Sequence, residues 1–183
     1  MDSTKISEEW LRKKLNLMDD NLGKIITLFI FESLSHTSNL SILYIFIYLD
    51  DIKMLSLPGS YQEKISHLGS SLQKFLRLKE LDLSRNSLHS LEGLEHLKCL
   101  DKLNLYYNNI GSMKELERLR FNTSLVELDL RLNPITKEEN DYRLFLIHII
   151  PTLKVLDDRT IRESEVQMAA TYYEQQQQQQ QNS

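Results

Sequence analysis

The 183 residues are 41% hydrophobic and 26% charged, the balance of one globular domain. A net charge of −4, a pI near 5.8 and the lack of a basic stripe exclude binding to a phosphate backbone on electrostatic grounds. The single cysteine, Cys99, excludes an intrachain disulfide and favours a reducing, cytoplasmic setting, in which the sequons at Asn39 and Asn122 are chance matches.

Residues 1–22 begin MDSTKISEEWLRKKLNLMDD, which is too polar for a signal peptide and is expected to form an amphipathic lead-in helix. Residues 23–49 break from both flanks, with Ile, Leu, Phe, Tyr and Ser dominating and only Lys24 and Glu32 charged. Three readings compete. A transmembrane helix over Ile25 to Leu49 is long enough, but it carries Glu32, His36 and Asn39 in its middle, where polar groups are costly. A pair of strands, IITLFIF and SILYIFIYL, fits the residue types, with SHTSN as the turn. The third reading, a translated intron, fits best. Codons for Gly23-Lys24 can hold a splice donor, a T-rich tract before Asp50 resembles an acceptor, and excision joins Leu22 smoothly to Asp50.

From residue 50 the chain repeats itself. LKELDLSRNSL starts at Leu78, LDKLNLYYNNI at Leu100 and LVELDLRLNPI at Leu125. Each reads Leu-x-x-Leu-x-Leu-x-x-Asn-x-(Leu/Ile), the pattern of a leucine-rich repeat. Alternate leucines give a short strand with one buried face, so the pairs Leu81/Leu83, Leu103/Leu105 and Leu128/Leu130 point inward. Asn86, Asn108 and Asn133 sit where the chain leaves each strand, placed to satisfy backbone groups of adjacent turns as a structural ladder. Their spacings of 22 and 25 residues leave room only for a turn or short helix on the convex side. Leu88, Leu91, Leu94, Leu97 and Leu100 recur every third residue, which predicts 3₁₀-like turns, and Met113, Leu116 and Leu119 continue the pattern. Cys99 lies among them as an expected small buried hydrophobe. A degenerate first unit, IKMLSLPGS, places Ile52, Leu55 and Leu57 at leucine positions and Ser60 at the asparagine position.

After the last full unit, Tyr142 to Ile150 reads as a helix, Pro151 as a stop, and Leu153 to Leu156 as a final strand. Such a cap covers the apolar end of a stack. Residues 163–183 form a helical or disordered tail with a glutamine run, Gln175–Gln181. The expected fold is an α/β leucine-rich-repeat solenoid of short units, right-handed, with parallel strands on the concave face and a helix–strand cap, over residues 50–162.

The outward strand positions form the candidate protein-binding face: Asp82, Ser84, Arg85, Asn104, Tyr106, Tyr107, Asp129 and Arg131. Tyr and Arg are the residue types that most often anchor interfaces, and Arg131 stands where it can stack on Tyr106. The histidines (His36, His67, His89, His96 and His148) show no metal-ligand spacing with Cys99. Asp157 and Asp158 are expected to cap a helix and to pair with Arg159 or Arg162. No Ser-His-Asp spacing or glycine-rich phosphate loop occurs, so no catalytic residue, cofactor, metal or small-molecule substrate is expected.

SYQEKISHLG (60–69), LDLSRNSLHSLEGL (81–94), LNLYYNNI (103–110), LDLRLNP (128–134), DYRLF (141–145) and LDDRTIRESE (156–165) together resemble the N-terminal repeat domain of a centrosomal leucine-rich-repeat family. That family includes a seventy-two-kilodalton centrosomal protein and a testis-associated paralogue. The resemblance covers roughly residues 5–22 and 50–165 and implies a non-enzymatic scaffold of the centrosome and centriolar satellites, binding other proteins and not membranes or nucleic acid. It also implies a long tail beyond the repeat domain, of which this chain lacks a counterpart. The alternative is another cytoplasmic or nuclear repeat adaptor of spliceosomal U2, axonemal or phosphatase-regulating type.

Overall fold

A computed structural model describes residues 4–5, 52–62 and 64–181. Its main sheet is built from β2 (Met54–Ser56), β4 (Glu80–Asp82), β5 (Lys102–Asn104), β6 (Glu127–Asp129), β7 (Val155–Leu156) and β8 (Arg159–Thr160), hydrogen-bonded in that order. Pairing is parallel from β2 to β7 and turns antiparallel only at β8. The register sets Leu55, Leu81, Leu103, Leu128 and Leu156 side by side, so one leucine from each unit forms a continuous inward row. A separate parallel pair joins β1 (Thr4–Lys5) to β3 (Ile65–His67).

The parallel connections pass through short convex segments. Leu94, Leu97 and Leu100 donate their N–H groups to the carbonyls of Leu91, Leu94 and Leu97 at 3.2, 3.1 and 3.3 Å, the three-residue spacing expected of 3₁₀-like turns. Leu88, Leu91, Leu94, Leu97 and Leu100 are all fully buried. The next unit is longer by three residues between asparagines and uses the extra length for α1 (Met113–Glu117) followed by a 3₁₀ turn, Arg118–Phe121. Ser112 caps α1, its side chain accepting from the Lys114 N–H. Beyond β6 the chain forms α2 (Ile135–Glu138), α3 (Tyr142–Ile149), the β7–β8 hairpin and α4 (Glu163–Gln181).

The asparagines form the expected ladder. Asn108 shows the arrangement: its Nδ2 donates to the Leu83 and Leu105 carbonyls at 2.9 and 3.1 Å, and its Oδ1 accepts the Leu88 N–H at 3.0 Å. Asn86 does the same for Leu57, Leu83 and Ile65, and Asn133 for Leu105, Leu130 and Ile110. Each side chain therefore ties its own strand to the one before it and holds the following turn of that earlier unit. All three are buried.

Several sequence expectations change. Ser60 is exposed and is not the first rung. The longer turn that follows it carries the chain on to Ile65, whose N–H takes the place that Leu88 and Ile110 hold in later units. Gly59 lies against the next unit so closely that an added Cβ would come within 2.0 Å of the Arg85 carbonyl oxygen. Cys99 is exposed, because a three-residue leucine spacing turns the two positions between Leu97 and Leu100 outward. Within the expected lead-in helix, Thr4–Lys5 are extended as β1, since Ile65–His67 offers them an open strand edge. The remainder of residues 1–22, and every reading of 23–49, lie outside the described residues. The final strand is Val155–Leu156 rather than Leu153–Leu156, because Pro151 and the bond from the Leu153 N–H to the Ile150 carbonyl keep the chain turning. The tail is helical through Gln181. Among the described residues no helix is long and apolar enough to cross a membrane.

Asn108→Ala is expected to lower unfolding free energy by about 3 kcal/mol, since it leaves a buried N–H and two buried carbonyls short of partners. Ser60→Ala is expected to leave stability within about 0.5 kcal/mol. Urea denaturation of the two variants checks both values.

Candidate functional site

The outward strand residues line a shallow groove of about 300 Å³ across the sheet, bordered by Met54, Glu80, Asp82, Lys102, Asn104 and Glu127. Met54 is 63% exposed there, and Lys102 pairs with Glu127 at 3.6 Å across the β5–β6 register. Such exposed pairs contribute little stability, so these side chains remain available to a partner.

One position further along, the chain turns out of the sheet in the same way in each unit. The side-chain Oδ1 atoms of Asp82, Asn104 and Asp129 accept the N–H groups of Ser84, Tyr106 and Arg131 at 2.9, 3.0 and 3.0 Å. These are Asx turns, in which a short polar side chain caps its own backbone two residues on. The residue immediately after each of these N–H donors is left-handed: Arg85, Tyr107 and Leu132 have φ of 59°, 55° and 59°. For such side chains this conformation costs roughly 1–2 kcal/mol, which the ladder rung that follows immediately holds in place. Asp82, Asn104 and Asp129 thus have a structural task first, and all three also line the groove.

Tyr106 and Arg131 meet as expected. The guanidinium carbon lies 5.6 Å from the Tyr106 ring centroid. Arg131 is clamped by Asp129, with bonds of 2.6 to 3.1 Å, and by Asp158 at 3.3 Å. The Asp129 carboxylate is the main reason its guanidinium is held above the usual arginine range. The side chain is therefore pre-positioned, and little of its entropy remains to be lost on binding.

The eight candidate residues fall into three groups. Asp82, Asn104, Tyr106, Asp129 and Arg131 share the concave face. Arg85 and Tyr107 stand at its edge, swung outward by their left-handed backbone. Ser84 drops out: it is only 8% exposed, and its carbonyl accepts the Gly59 N–H from the neighbouring unit. A serine is small enough for the longer first turn to cover it, whereas Tyr106 at the equivalent place is not.

The sequence reading missed two contributors. Asp158 completes the Arg131 clamp, and Lys64 lies 5.7 Å from the Tyr107 ring centroid. Both contacts join residues from different units, and strand alternation gives no signal for them. Asp157 also differs from expectation. It accepts the Leu130 N–H at 2.6 Å and the Tyr142 hydroxyl at 2.7 Å, ending the array as a substitute rung. Burial pushes the Asp157 carboxyl up, against those two bonds, and burial together with Asp157 pushes the Tyr142 hydroxyl up.

The cap fixes the far end of the face. Arg143 on α3 donates to Glu165 on α4 at 2.8 Å and to the Leu156 carbonyl at 3.0 Å. Tyr173 stacks on His148 with centroids 4.3 Å apart, over the buried Ala169. On the convex side, Glu115 accepts from Ser90, the Leu91 N–H and Arg118, and Arg118 also reaches Glu95 at 2.6 Å. Burial acts to raise Glu95 and Glu115, but these bonds outweigh it and hold both carboxyls below the usual range. Among the described residues no group of three metal-ligating side chains occurs.

A family model described as leucine-rich repeat matches residues 77–182, more than half of the chain. The chain belongs to the leucine-rich repeat family. Over 117 residues, 64% of its length, it is 56% identical to the mouse centrosomal protein of 72 kDa, of which the match spans 18%. It is 50% identical over 118 residues to human leucine-rich repeat-containing protein 36, again 64% of this chain and 16% of that protein. The likeness to centrosomal repeat proteins read from YQEKI, LYYNNI and DYRLF is thus met by direct similarity, although the chain spans less than a fifth of either relative. Among solved structures, the Drosophila melanogaster SNF/U2A′ complex matches with a TM-score of 0.58 at 25% identity, covering 76% of this chain and 75% of that one. It places the leucine-rich-repeat solenoid beyond dispute as the architecture.

Arg143 lowers the Glu165 carboxyl from 4.5 to about 2. A depressed carboxylate stabilises the fold above its unfolded pKa and loses that contribution as pH falls through the folded one. Stability should therefore decline between pH 4.5 and about 2, and Glu165→Gln should flatten that part of the profile. Urea midpoints measured across the range test this.

Proposed function

We propose that this leucine-rich-repeat protein is a non-catalytic scaffold of the centrosome, the centriolar satellites or the cilium base, capturing protein partners on its concave face in support of microtubule-organising-centre assembly. The observation that carries the reading is the 56% identity to a centrosomal protein across the repeat domain. The chemistry of the face supports it. A clamped Arg131 over Tyr106 is a rigid aromatic–cation anchor of the kind that concentrates binding energy, and it sits beside an open groove with polar borders. The partners are centrosomal or satellite proteins, and no membrane, nucleic acid or small-molecule substrate is needed.

A second reading, a nuclear adaptor of spliceosomal U2 type, is favoured by the structural match to the SNF/U2A′ complex. Distribution in cells separates them: the tagged chain should concentrate at centrosomal foci, and nuclear speckles would favour the alternative.

The double variant Tyr106→Ala, Arg131→Ala should reduce partner capture at least about tenfold with an unchanged thermal midpoint, because both side chains are outside the core. Proximity labelling from the wild-type and double-variant chains reads the loss, and equal labelling of centrosomal proteins by both would remove the concave face from the account.

A further inference from the structure

A second groove opens along the edge of the array where the strands leave the sheet. It has a volume of about 500 Å³ and is bordered by Lys64, Tyr107, Asn109, Leu132, Lys137 and Glu138. Tyr107 and Leu132 occupy equivalent places in adjacent units, both left-handed, and are 51% and 48% exposed. The backbone thus presents two large apolar groups side by side to solvent, where Gly or Asn would take the same conformation at less cost. The asparagine ladder runs directly beneath, so the floor of the groove is fixed.

The charged side chains on its border are two lysines and one glutamate, Lys64, Lys137 and Glu138. Among the described residues no carboxylate lies within ion-pair distance of Lys64 or Lys137. Lys64 instead leans over the Tyr107 ring. Glu138 is the one acid on the border. Two lysines with no carboxylate partner among the described residues therefore border the apolar pair, with one acid beside them.

We propose that this edge groove is a second docking surface, distinct from the concave face, for an acidic peptide segment of a partner protein that carries a large apolar anchor. The anchor packs against Tyr107 and Leu132, and flanking Asp or Glu side chains reach Lys64 and Lys137. Charge complementarity selects this occupant: a basic segment would face two lysines, and a neutral one would leave them without partners in a partly desolvated rim.

A random peptide library displayed on phage and selected against the chain tests the proposal. Enriched peptides should carry several acidic residues around a Phe, Trp or Leu. Synthetic copies should bind at least about tenfold more weakly to the Lys64→Glu, Lys137→Glu double variant, and their binding should weaken steadily with added salt. They should bind the Tyr106→Ala, Arg131→Ala variant as tightly as wild type, which separates this surface from the concave one. Should the charge-reversal variant unfold, Lys64→Gln with Lys137→Gln and the salt dependence carry the test. A neutral or basic consensus, no enrichment, binding indifferent to the lysine changes, or binding lost with Tyr106 and Arg131 would each overturn the proposal.

Discussion

A stack of short parallel strands leaves a specific problem where each strand ends. The chain must turn sharply toward the convex side, and the turn is inside the protein, so its N–H and carbonyl groups have no water to meet. One buried amide per unit answers this. Asn86, Asn108 and Asn133 each accept one N–H and donate to two or more carbonyls, and the donors and acceptors belong to neighbouring units. An amide has both hydrogen-bonding senses in one planar group, which neither a hydroxyl nor a carboxylate matches with the same reach. The leucine rows supply the larger part of the burial, but leucines alone would permit slippage between units. The ladder sets the register.

From that register the surface follows. The residue just before each rung is forced left-handed, and the Asx turn that starts three residues earlier bends the chain into it. The same geometry divides the outward side chains into a concave set and an edge set. Tyr106 and Arg131 stay with the sheet, and Tyr107 and Leu132 swing over the edge. Consecutive tyrosines thus lie on two different surfaces, and a single repeat contributes to both.

Much of this was legible from the amino-acid sequence. The leucine and asparagine spacing gave the units, the inward rows and the ladder, because each of these repeats in sequence with the period of the fold. The three-residue leucine spacing also predicted the i to i+3 turns. What repeats only in space was not legible. Ser60 looked like a rung because it stood at the right distance from Leu57, yet the longer turn hands that place to Ile65. Ser84 read as outward by alternation, but a neighbouring turn covers it. The Arg118 bridge to Glu95, the Asp158 contact to Arg131 and the Lys64 contact to Tyr107 all join residues more than twenty positions apart. The left-handed residues were hidden for another reason: Arg, Tyr and Leu do not announce positive φ as glycine does.

The central claim is that the ladder holds the array as one cooperative body. Native-state hydrogen exchange at the N–H groups of Ile65, Leu88 and Ile110, which the three asparagines accept, tests it most directly. All three should exchange only by global unfolding, with the same free energy and the same denaturant dependence. Exchange of any one through a small local opening, insensitive to denaturant and independent of the other two, would contradict it.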